Sequence, residues 1–178
     1  MANRCPIEFL AFAERLVERS GEIIRHYFRQ PFEIDTKDDE SPVTIADREA
    51  EEGLRALIRD TYPDHGIIGE EFDNERADAE FCWILDPIDG TGSFITGKPI
   101  FGTLIALRYC GSPILGVIDQ PISGERWVGA VGHGTTLNGE TAKVRPCAEL
   151  SQAALDSTDP SMFAGETRFD ELCQRVAR

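Results

Sequence analysis

Two aspartates three residues apart, Asp86 and Asp89, lie in the most chemically informative segment of the chain. Asp86 follows the apolar run 81–85, which is typical of a buried strand. Pro87 fixes φ and removes an N–H group, while Gly90 permits a sharp turn. The pattern therefore predicts a strand that ends at Asp86 and a rigid corner that holds both carboxylates. Carboxylate oxygens are the ligands that Mg²⁺ prefers, and a rigid frame suits its strict octahedral geometry.

Small residues rich in backbone amides follow directly, as Gly90, Thr91, Gly92 and Ser93. If a helix begins here, its N-terminus directs positive partial charge toward an anion. The alternative interpretation is an ordinary β-turn, because Asp-Gly is common in turns. The segment thus predicts either an anion site beside the metal ligands or a turn without a function.

Other acidic residues also follow apolar segments. Glu70 and Glu71 come directly after a short glycine-bounded run at 66–69, and Asp47 follows a segment that contains Val and Ile. A solvated surface is the usual location of a Glu-Glu pair. However, ligands in α/β and α+β enzymes converge where apolar strands end. The pattern therefore favours a site in which these acids join Asp86.

Two helices are expected ahead of this site. Apolar residues at spacings of three and four predict an amphipathic helix over residues 6–29, which Pro31 stops. A second helix is expected over 45–62, before the next proline. The polar segment 35–44 between them is typical of a loop.

Alternating strand and turn patterns fill the chain after Gly90. Strands are expected at residues 101–109, 114–120, 126–131 and 135–137, separated by turn sequences that contain glycine or proline. A last strand at 153–157 and a helix at 167–177 follow. Consecutive strands joined by short turns predict an antiparallel meander, and helices followed by strands indicate an α+β fold, a layered helix/sheet sandwich.

Composition excludes several classes of partner and site. The chain of 178 residues has 32 acidic and 18 basic residues, a net charge of −14, which repels nucleic acid and anionic membranes. A phosphorylated ligand would therefore need bound cations. The five cysteines form no CxxC motif and the three histidines are scattered, which argues against a disulfide framework or a zinc site. With no signal-peptide pattern near the start, we expect a cytoplasmic protein.

Four ordered motifs resemble the inositol-monophosphatase superfamily. They are Val43-Thr44-Ile45-Ala46-Asp47, Gly69-Glu70-Glu71, Trp83-Ile84-Leu85-Asp86-Pro87-Ile88-Asp89-Gly90-Thr91 and Gly134-Thr135-Thr136-Leu137-Asn138-Gly139. Segments 93–107 and 119–122 are most similar to the histidinol-phosphatase branch. The resemblance implies a sandwich of the sugar-phosphatase type, a homodimer and a small phosphorylated metabolite as substrate.

The resemblance also implies a metal site with defined ligands. Glu70, Asp86 and the backbone carbonyl of Ile88 would hold one Mg²⁺. Asp86 would bridge to a second Mg²⁺, which Asp89 also binds. Asp47 would support a third, weaker metal, largely through water, and Mn²⁺ may replace Mg²⁺ in such sites.

The implied reaction is hydrolysis of a phosphate monoester by metal-activated water. Thr91, together with Glu70, would orient the attacking water, and the amides of Gly90, Thr91, Gly92 and Ser93 would bind the phosphate. Histidinol phosphate, cleaved to histidinol in histidine biosynthesis, is the expected substrate. Inositol 1-phosphate is the main alternative, followed by fructose bisphosphate and nucleotide phosphates.

One motif of the superfamily is absent from the sequence. The family's C-terminal part supplies a further aspartate in a Trp-Asp motif, whereas Trp83 and Trp127 are followed by Ile84 and Val128. We therefore expect an N-terminal domain over 1–148 and the start of a truncated C-terminal domain over 149–178. In another interpretation a later acid substitutes, from among Asp156, Asp159 and Asp170. Truncation predicts metal binding with impaired turnover, or a non-catalytic metal-binding or oligomerising fragment.

Overall fold

The computed structural model describes residues 4–31, 34–36 and 42–154. Helix α1 spans Ile7–Tyr27 and buries the apolar face on which its residues recur at spacings of three and four. The chain leaves the helix through Arg29, which adopts a φ of 60°. The predicted helix over 6–29 is confirmed, and it ends before Pro31 because Phe28, with φ −59° and ψ 123°, already leaves the helical path.

The polar segment between the helices contains a two-stranded antiparallel ribbon. Strand β1 (Ile34–Thr36) pairs with β2 (Pro42–Thr44). The prediction of a loop over 35–44 is therefore wrong at both ends. β-Branched residues are frequent in these two short stretches, and they favour extended backbone even where the neighbouring sequence is polar.

Helix α2 (Ile45–Thr61) follows β2 without a connecting loop. It begins at a capping box in which the Thr44 hydroxyl accepts from the Asp47 amide at 3.4 Å, and the Asp47 carboxylate accepts from the Thr44 amide at 2.8 Å. The box satisfies backbone donors that a helix start otherwise leaves unpaired. The second predicted helix is confirmed to within one residue at its end.

A seven-stranded sheet follows, and its strand order is the order of the sequence. The strands are β3 (Gly66–Gly69), β4 (Phe81–Asp89), β5 (Gly102–Tyr109), β6 (Ser112–Gln120), β7 (Glu125–Ala130), β8 (Gly134–Leu137) and β9 (Glu140–Thr141), and a short helix α3 (Thr91–Ile95) connects β4 to β5. Strands β3 and β4 are parallel, and every later pair is antiparallel. The predicted meander and the α+β class are confirmed.

Helices α1 and α2 share a core with one face of the sheet. Trp83, Leu85 and Ile105 are at most 2% exposed there, together with Leu16 of α1. Residues that point the other way along the same strands remain open, as in Ile84 of β4 (38% exposed) and Ile118 of β6 (48%). The sheet therefore has one covered apolar face and one face with exposed apolar side chains.

The chain divides into two compact units, residues 1–142 and 143–178. In the described part of the second unit, a single 3-10 turn spans Leu150–Gln152. Residues 153 and 154 are not in a strand. The remainder of the strand predicted at 153–157, the helix predicted at 167–177 and the three later acids considered above lie outside the described residues. The domain boundary near residue 148 stays a prediction.

Two further properties concern the described ranges. None of their helices combines the length and the apolar character that crossing a membrane requires. Their cysteines carry free thiols: Cys5 and Cys82 are buried, whereas Cys110 and Cys147 are exposed.

Candidate metal centre

Asp86 lies on β4 just before an irregularity in the sheet. The pairing of β4 with β5 shifts register between Asp86 and Asp89, and Pro87 occupies the break. Thr103 of β5 fixes the break, because its hydroxyl donates to the carbonyl of Pro87 at 2.8 Å. The prediction that the strand ends at Asp86 is wrong, because a bulge accommodates the residue without an N–H group and pairing resumes at Asp89.

The carboxylate of Asp86 is the least compensated acid of the site. Its Oδ1 is buried and has no hydrogen-bond partner. Burial raises the pKa of Asp86 to about 8, with further contributions from the charge and hydrogen bond of Glu70 and from the charges of Asp89 and Asp47. A buried oxygen in this surrounding favours either a proton or a cation.

Glu70 reaches Asp86 because β3 ends beside the point where the pairing of β4 becomes irregular. Gly69, the last residue of β3, pairs with Leu85 of β4, so the next residue along each strand is Glu70 or Asp86. The Glu70 side chain is exposed, while its backbone amide donates to the carboxylate of Glu51 at 2.9 Å. The parallel pairing thus brings two predicted metal ligands together.

Asp47 approaches the same site from the first turn of α2. It is 1% exposed, and one of its carboxylate oxygens caps the helix by accepting from the Thr44 amide at 2.8 Å. Its charge also raises the pKa of Asp86. The structure therefore gives this predicted site residue a capping function and places it within electrostatic reach of Asp86.

Ile88 and Thr91 lie on either side of Asp89 and Gly90, at the turn from β4 into α3. The Ile88 side chain is buried, and its carbonyl accepts a hydrogen bond from the Thr91 hydroxyl at 3.2 Å. A carbonyl oxygen has two lone pairs, so this bond leaves one lone pair for another donor or a cation. The Thr91 hydroxyl, which is predicted to orient the water, therefore lies next to the Ile88 carbonyl, which is predicted to bind a metal.

The glycine-rich turn continues into helix α3, as one of the two interpretations predicted. Gly90 adopts a φ of 97°, and its carbonyl accepts from the amides of Ser93 at 2.8 Å and Phe94 at 3.1 Å. The Ser93 amide is therefore already bonded within the turn. The amides of the first helical residues, Thr91 and Gly92, have no acceptor within a helix.

The donor set fits a hard divalent cation. No three His, Cys, Asp or Glu side chains of the described ranges stand in a finished ligating arrangement. Yet Glu70, Asp47 and Asp89 all act electrostatically on Asp86. A cation would offset the mutual repulsion of these acidic groups. A buried oxygen without a partner, with carboxylates as the nearby charged groups, suits Mg²⁺ or Mn²⁺ better than zinc.

Sequence reasoning missed Glu51 and Arg55, which lie beneath this site. Both are on α2 and at most 1% exposed, and Arg55 Nε donates to Glu51 Oε1 at 2.7 Å. Their spacing of four residues on a predicted helix was the only available signal. It is ordinary for exposed helical ion pairs and does not reveal burial.

Several curated proteins that resemble this chain carry the name phosphatase. It is 55% identical over 160 residues to a protein named bifunctional phosphatase IMPL2, chloroplastic, from Arabidopsis thaliana, with 89% of this chain and 46% of that protein covered. It is 42% identical over 151 residues to a histidinol-phosphatase from Chlorobaculum parvum, with 84% and 58% covered. The chain thus spans about half the length of the curated relatives that it matches.

Solved structures agree with this relationship. An inositol monophosphatase from Zymomonas mobilis superposes with a TM-score of 0.83 at 46% identity, covering 96% of this chain and 66% of the other. The model of the inositol monophosphatase family matches residues 6–174, which is nearly the whole sequence. The superfamily resemblance carried by the four motifs is confirmed, and the chain belongs to the inositol monophosphatase family.

Proposed function

We propose that the chain carries the metal-binding and phosphate-binding part of a Mg²⁺-dependent phosphate monoesterase. The observation that carries the proposal is Asp86, a half-buried residue whose carboxylate has one buried, unpartnered oxygen and feels the charges of three other acids. Bound Mg²⁺ would neutralise charge on the phosphate and lower the pKa of a bound water. Mn²⁺ is expected to substitute, because it takes the same oxygen ligands.

Each acid has a role that follows from its position. Glu70, Asp86 and the Ile88 carbonyl are proposed to hold the first cation, and Asp86 and Asp89 to contribute to a second. Asp47 supports a third cation through water, because its carboxylate is already bonded to the Thr44 amide. In this assignment the second cation has two carboxylate ligands among the described residues. We therefore expect this cation to bind weakly and the hydrolysis of the substrate to be slow.

The attacking water and the phosphate are proposed to meet between Glu70 and the turn after Asp89. Thr91 and Glu70 orient the water, which is consistent with the bond that fixes the Thr91 hydroxyl on the Ile88 carbonyl at 3.2 Å. Since Ser93 already donates its amide to Gly90, the phosphate donors are narrowed to the amides of Gly90, Thr91 and Gly92. The Ser93 amide is therefore withdrawn from the proposed set.

Histidinol phosphate is the proposed substrate. The support is the 42% identity to the Chlorobaculum parvum histidinol-phosphatase and a further 37% identity to a histidinol-phosphatase from Mycobacterium tuberculosis. Inositol 1-phosphate is the second candidate, favoured by the 46% identity to the Zymomonas mobilis inositol monophosphatase. We further propose a homodimer located in the cytosol.

Phosphate release tests the proposal directly. The purified chain and its Asp86→Asn variant are assayed with Mg²⁺ on L-histidinol phosphate and on inositol 1-phosphate. We expect slow release that requires Mg²⁺ and Asp86 and that is faster with histidinol phosphate. Release from inositol 1-phosphate alone would replace the substrate. Mn²⁺ binding without release from either would identify a non-catalytic metal-binding chain, and no binding at all would refute the metal centre.

A further inference from the structure

A buried carboxylate connects helix α2 to the backbone of the metal-ligand segment. Glu51 is fully buried, and its Oε2 accepts from the amide of Glu70 at 2.9 Å and from the amide of Glu71 at 2.8 Å. Its other oxygen, Oε1, accepts from Arg55 Nε at 2.7 Å. The charge is thus balanced by one guanidinium and two amide dipoles, which is what a buried carboxylate requires.

Gly69 provides the space that this contact needs. A Cβ atom on Gly69 would lie 1.9 Å from Glu51 Oε1 and 2.7 Å from an Arg55 terminal nitrogen, far inside van der Waals contact. Its φ lies outside the left-handed range, so the glycine is required by close approach and not by backbone conformation. The Gly-Glu-Glu motif is therefore built around the carboxylate of Glu51.

Arg55 also anchors the residues after Glu71 to helix α2. Its terminal nitrogens donate to Glu75 Oε1 at 2.8 Å and to the Phe72 carbonyl at 3.1 Å. Both ends of the irregular segment 70–75 are thus tied to one buried pair on α2.

We propose that Glu51 is a positioning residue that holds the Glu70–Glu71 backbone and thereby keeps the Glu70 carboxylate beside Asp86, where a divalent cation binds. The inference rests on the proposed metal centre and deepens it. Outer partners of this kind change metal affinity by about ten- to a hundredfold when removed.

Glu51→Gln tests the proposal while nearly keeping the shape of the side chain. An amide offers one acceptor oxygen and one NH₂ group. If its oxygen faces the two backbone amides, its NH₂ faces Arg55, so a donor opposes a donor in either orientation. We expect the amides of Glu70 and Glu71 to lose hydrogen-exchange protection at least about tenfold, and the Kd for Mn²⁺ to rise about tenfold or more.

Three variants separate positioning from general stability. Ile58→Ala empties a fully buried site on the same helix and should lower stability while leaving the Mn²⁺ affinity unchanged. Glu70→Gln should weaken Mn²⁺ binding but keep the exchange protection of its own amide. Gly69→Ala, which drives a Cβ into Glu51 Oε1, should reproduce both effects of Glu51→Gln and replaces it if that variant does not fold.

The outcomes distinguish this inference from the proposed function. If the unmodified chain binds Mn²⁺ and Glu70→Gln weakens it, but Glu51→Gln and Gly69→Ala bind as tightly as the unmodified chain, the positioning role is overturned and the metal centre stands. If the unmodified chain binds no Mn²⁺, the metal centre fails and the inference fails with it. Loss of protection together with weaker binding supports both.

Discussion

Asp86 illustrates the conflict between stability and function at the level of one residue. One of its carboxylate oxygens is buried, and burial together with the charges of three nearby acids raises the pKa of Asp86 to about 8. Natural proteins retain such costly groups where a ligand compensates them. The acid therefore has a better explanation as a ligand than as a structural group.

Replacing the Asp86 carboxyl by an amide should have opposite effects on folding and binding. We expect Asp86→Asn to raise the free energy of unfolding of the metal-free chain by about 1 kcal/mol at neutral pH, because an amide, unlike the carboxyl, needs no proton to lie beside the three acids. The same variant should lose Mn²⁺ binding. Urea denaturation in EDTA and a Mn²⁺ titration measure the two effects. The exposed Glu125, changed to Gln, serves as the control and should alter neither; lower stability of the Asp86 variant would contradict the argument.

Gly90 and Gly92 differ in the space available for an added methyl group. Gly90 has a φ of 97°, and an added Cβ would lie 3.3 Å from the Cβ of Phe101, whereas at Gly92 nothing lies within 4 Å. Gly90→Ala should therefore cost about 1–3 kcal/mol of stability and disturb the corner that follows Asp89. Gly92→Ala should be neutral or stabilise helix α3 by up to about 1 kcal/mol. Urea denaturation of both variants checks the contrast, which equal losses would refute.

At the scale of elements, the spacing of apolar residues and the position of turn residues determine the local structure. The helices followed from apolar spacing, and the strands from β6 to β8 followed from short runs separated by turn residues such as Asn138-Gly139. The meander needed no further information, because consecutive strands joined by tight turns pair with their neighbours.

Features that depend on long-range contact were not predictable in this way. Strand β4 continues past Pro87 because Thr103, sixteen residues away, accommodates the bulge. The small size of Gly69 reflects Glu51, eighteen residues earlier, on a different element. Glu70 and Asp86 were expected near each other because each follows an apolar run of the sequence, although β4 continues past Asp86. Their support from α2 depends on contacts between residues far apart in the sequence.

The ion pairs between α2 and the segment after Glu71 should give the fold a defined acid sensitivity. Hydrogen bonds from Arg59 and Arg55 lower the pKa of Glu75 from 4.5 to about 2. A lowered pKa means that the stabilisation is complete above about pH 4.5 and is lost as the pH falls toward 2. The Glu75 side chain is 26% exposed, so screening reduces the effect, and we expect about 1–2 kcal/mol at pH 7.

Glu75→Gln measures this contribution. The difference in unfolding free energy between the unmodified chain and the variant should be full at pH 7 and should vanish near pH 2. Glu52→Gln is the matched control, because Glu52 pairs with the same Arg59 at 3.1 Å but is 55% exposed. Its effect should stay below about 0.5 kcal/mol at every pH. A Glu75 effect that does not depend on pH would show that the pair contributes by packing alone.

At the scale of the molecule, a net charge of −14 would repel the proposed phosphorylated substrate. The proposed cations answer this problem, because they place positive charge on the acids that otherwise add to the repulsion. Glu70 follows the end of β3, and Asp86 and Asp89 flank the irregularity of β4, so the sheet determines where these acids lie. The proposed cations would determine the sign of the local charge.

The open face of the sheet should make the whole molecule bind apolar probes. Ile84, Leu104 and Ile118 line an apolar groove of about 500 Å³ on this face, and Ile118 is 48% exposed. Contiguous exposed apolar surface of this kind binds hydrophobic dyes. We expect Ile118→Thr, which keeps a β-branched residue in β6, to lower the fluorescence of bound anilinonaphthalene sulfonate under native conditions.

Ile7→Thr provides the matched control for this groove. Ile7 is 66% exposed on α1 and is not among the residues that line the groove, so its replacement removes at least as much exposed apolar surface without touching the groove. Ile7→Thr should change stability by less than about 0.5 kcal/mol, and Ile118→Thr by up to about 1 kcal/mol, since about half of the Ile118 side chain is buried. Equal dye binding by the two variants would mean that the dye binds elsewhere. A loss confined to Ile118→Thr would identify the open face of the sheet as the surface that binds the dye.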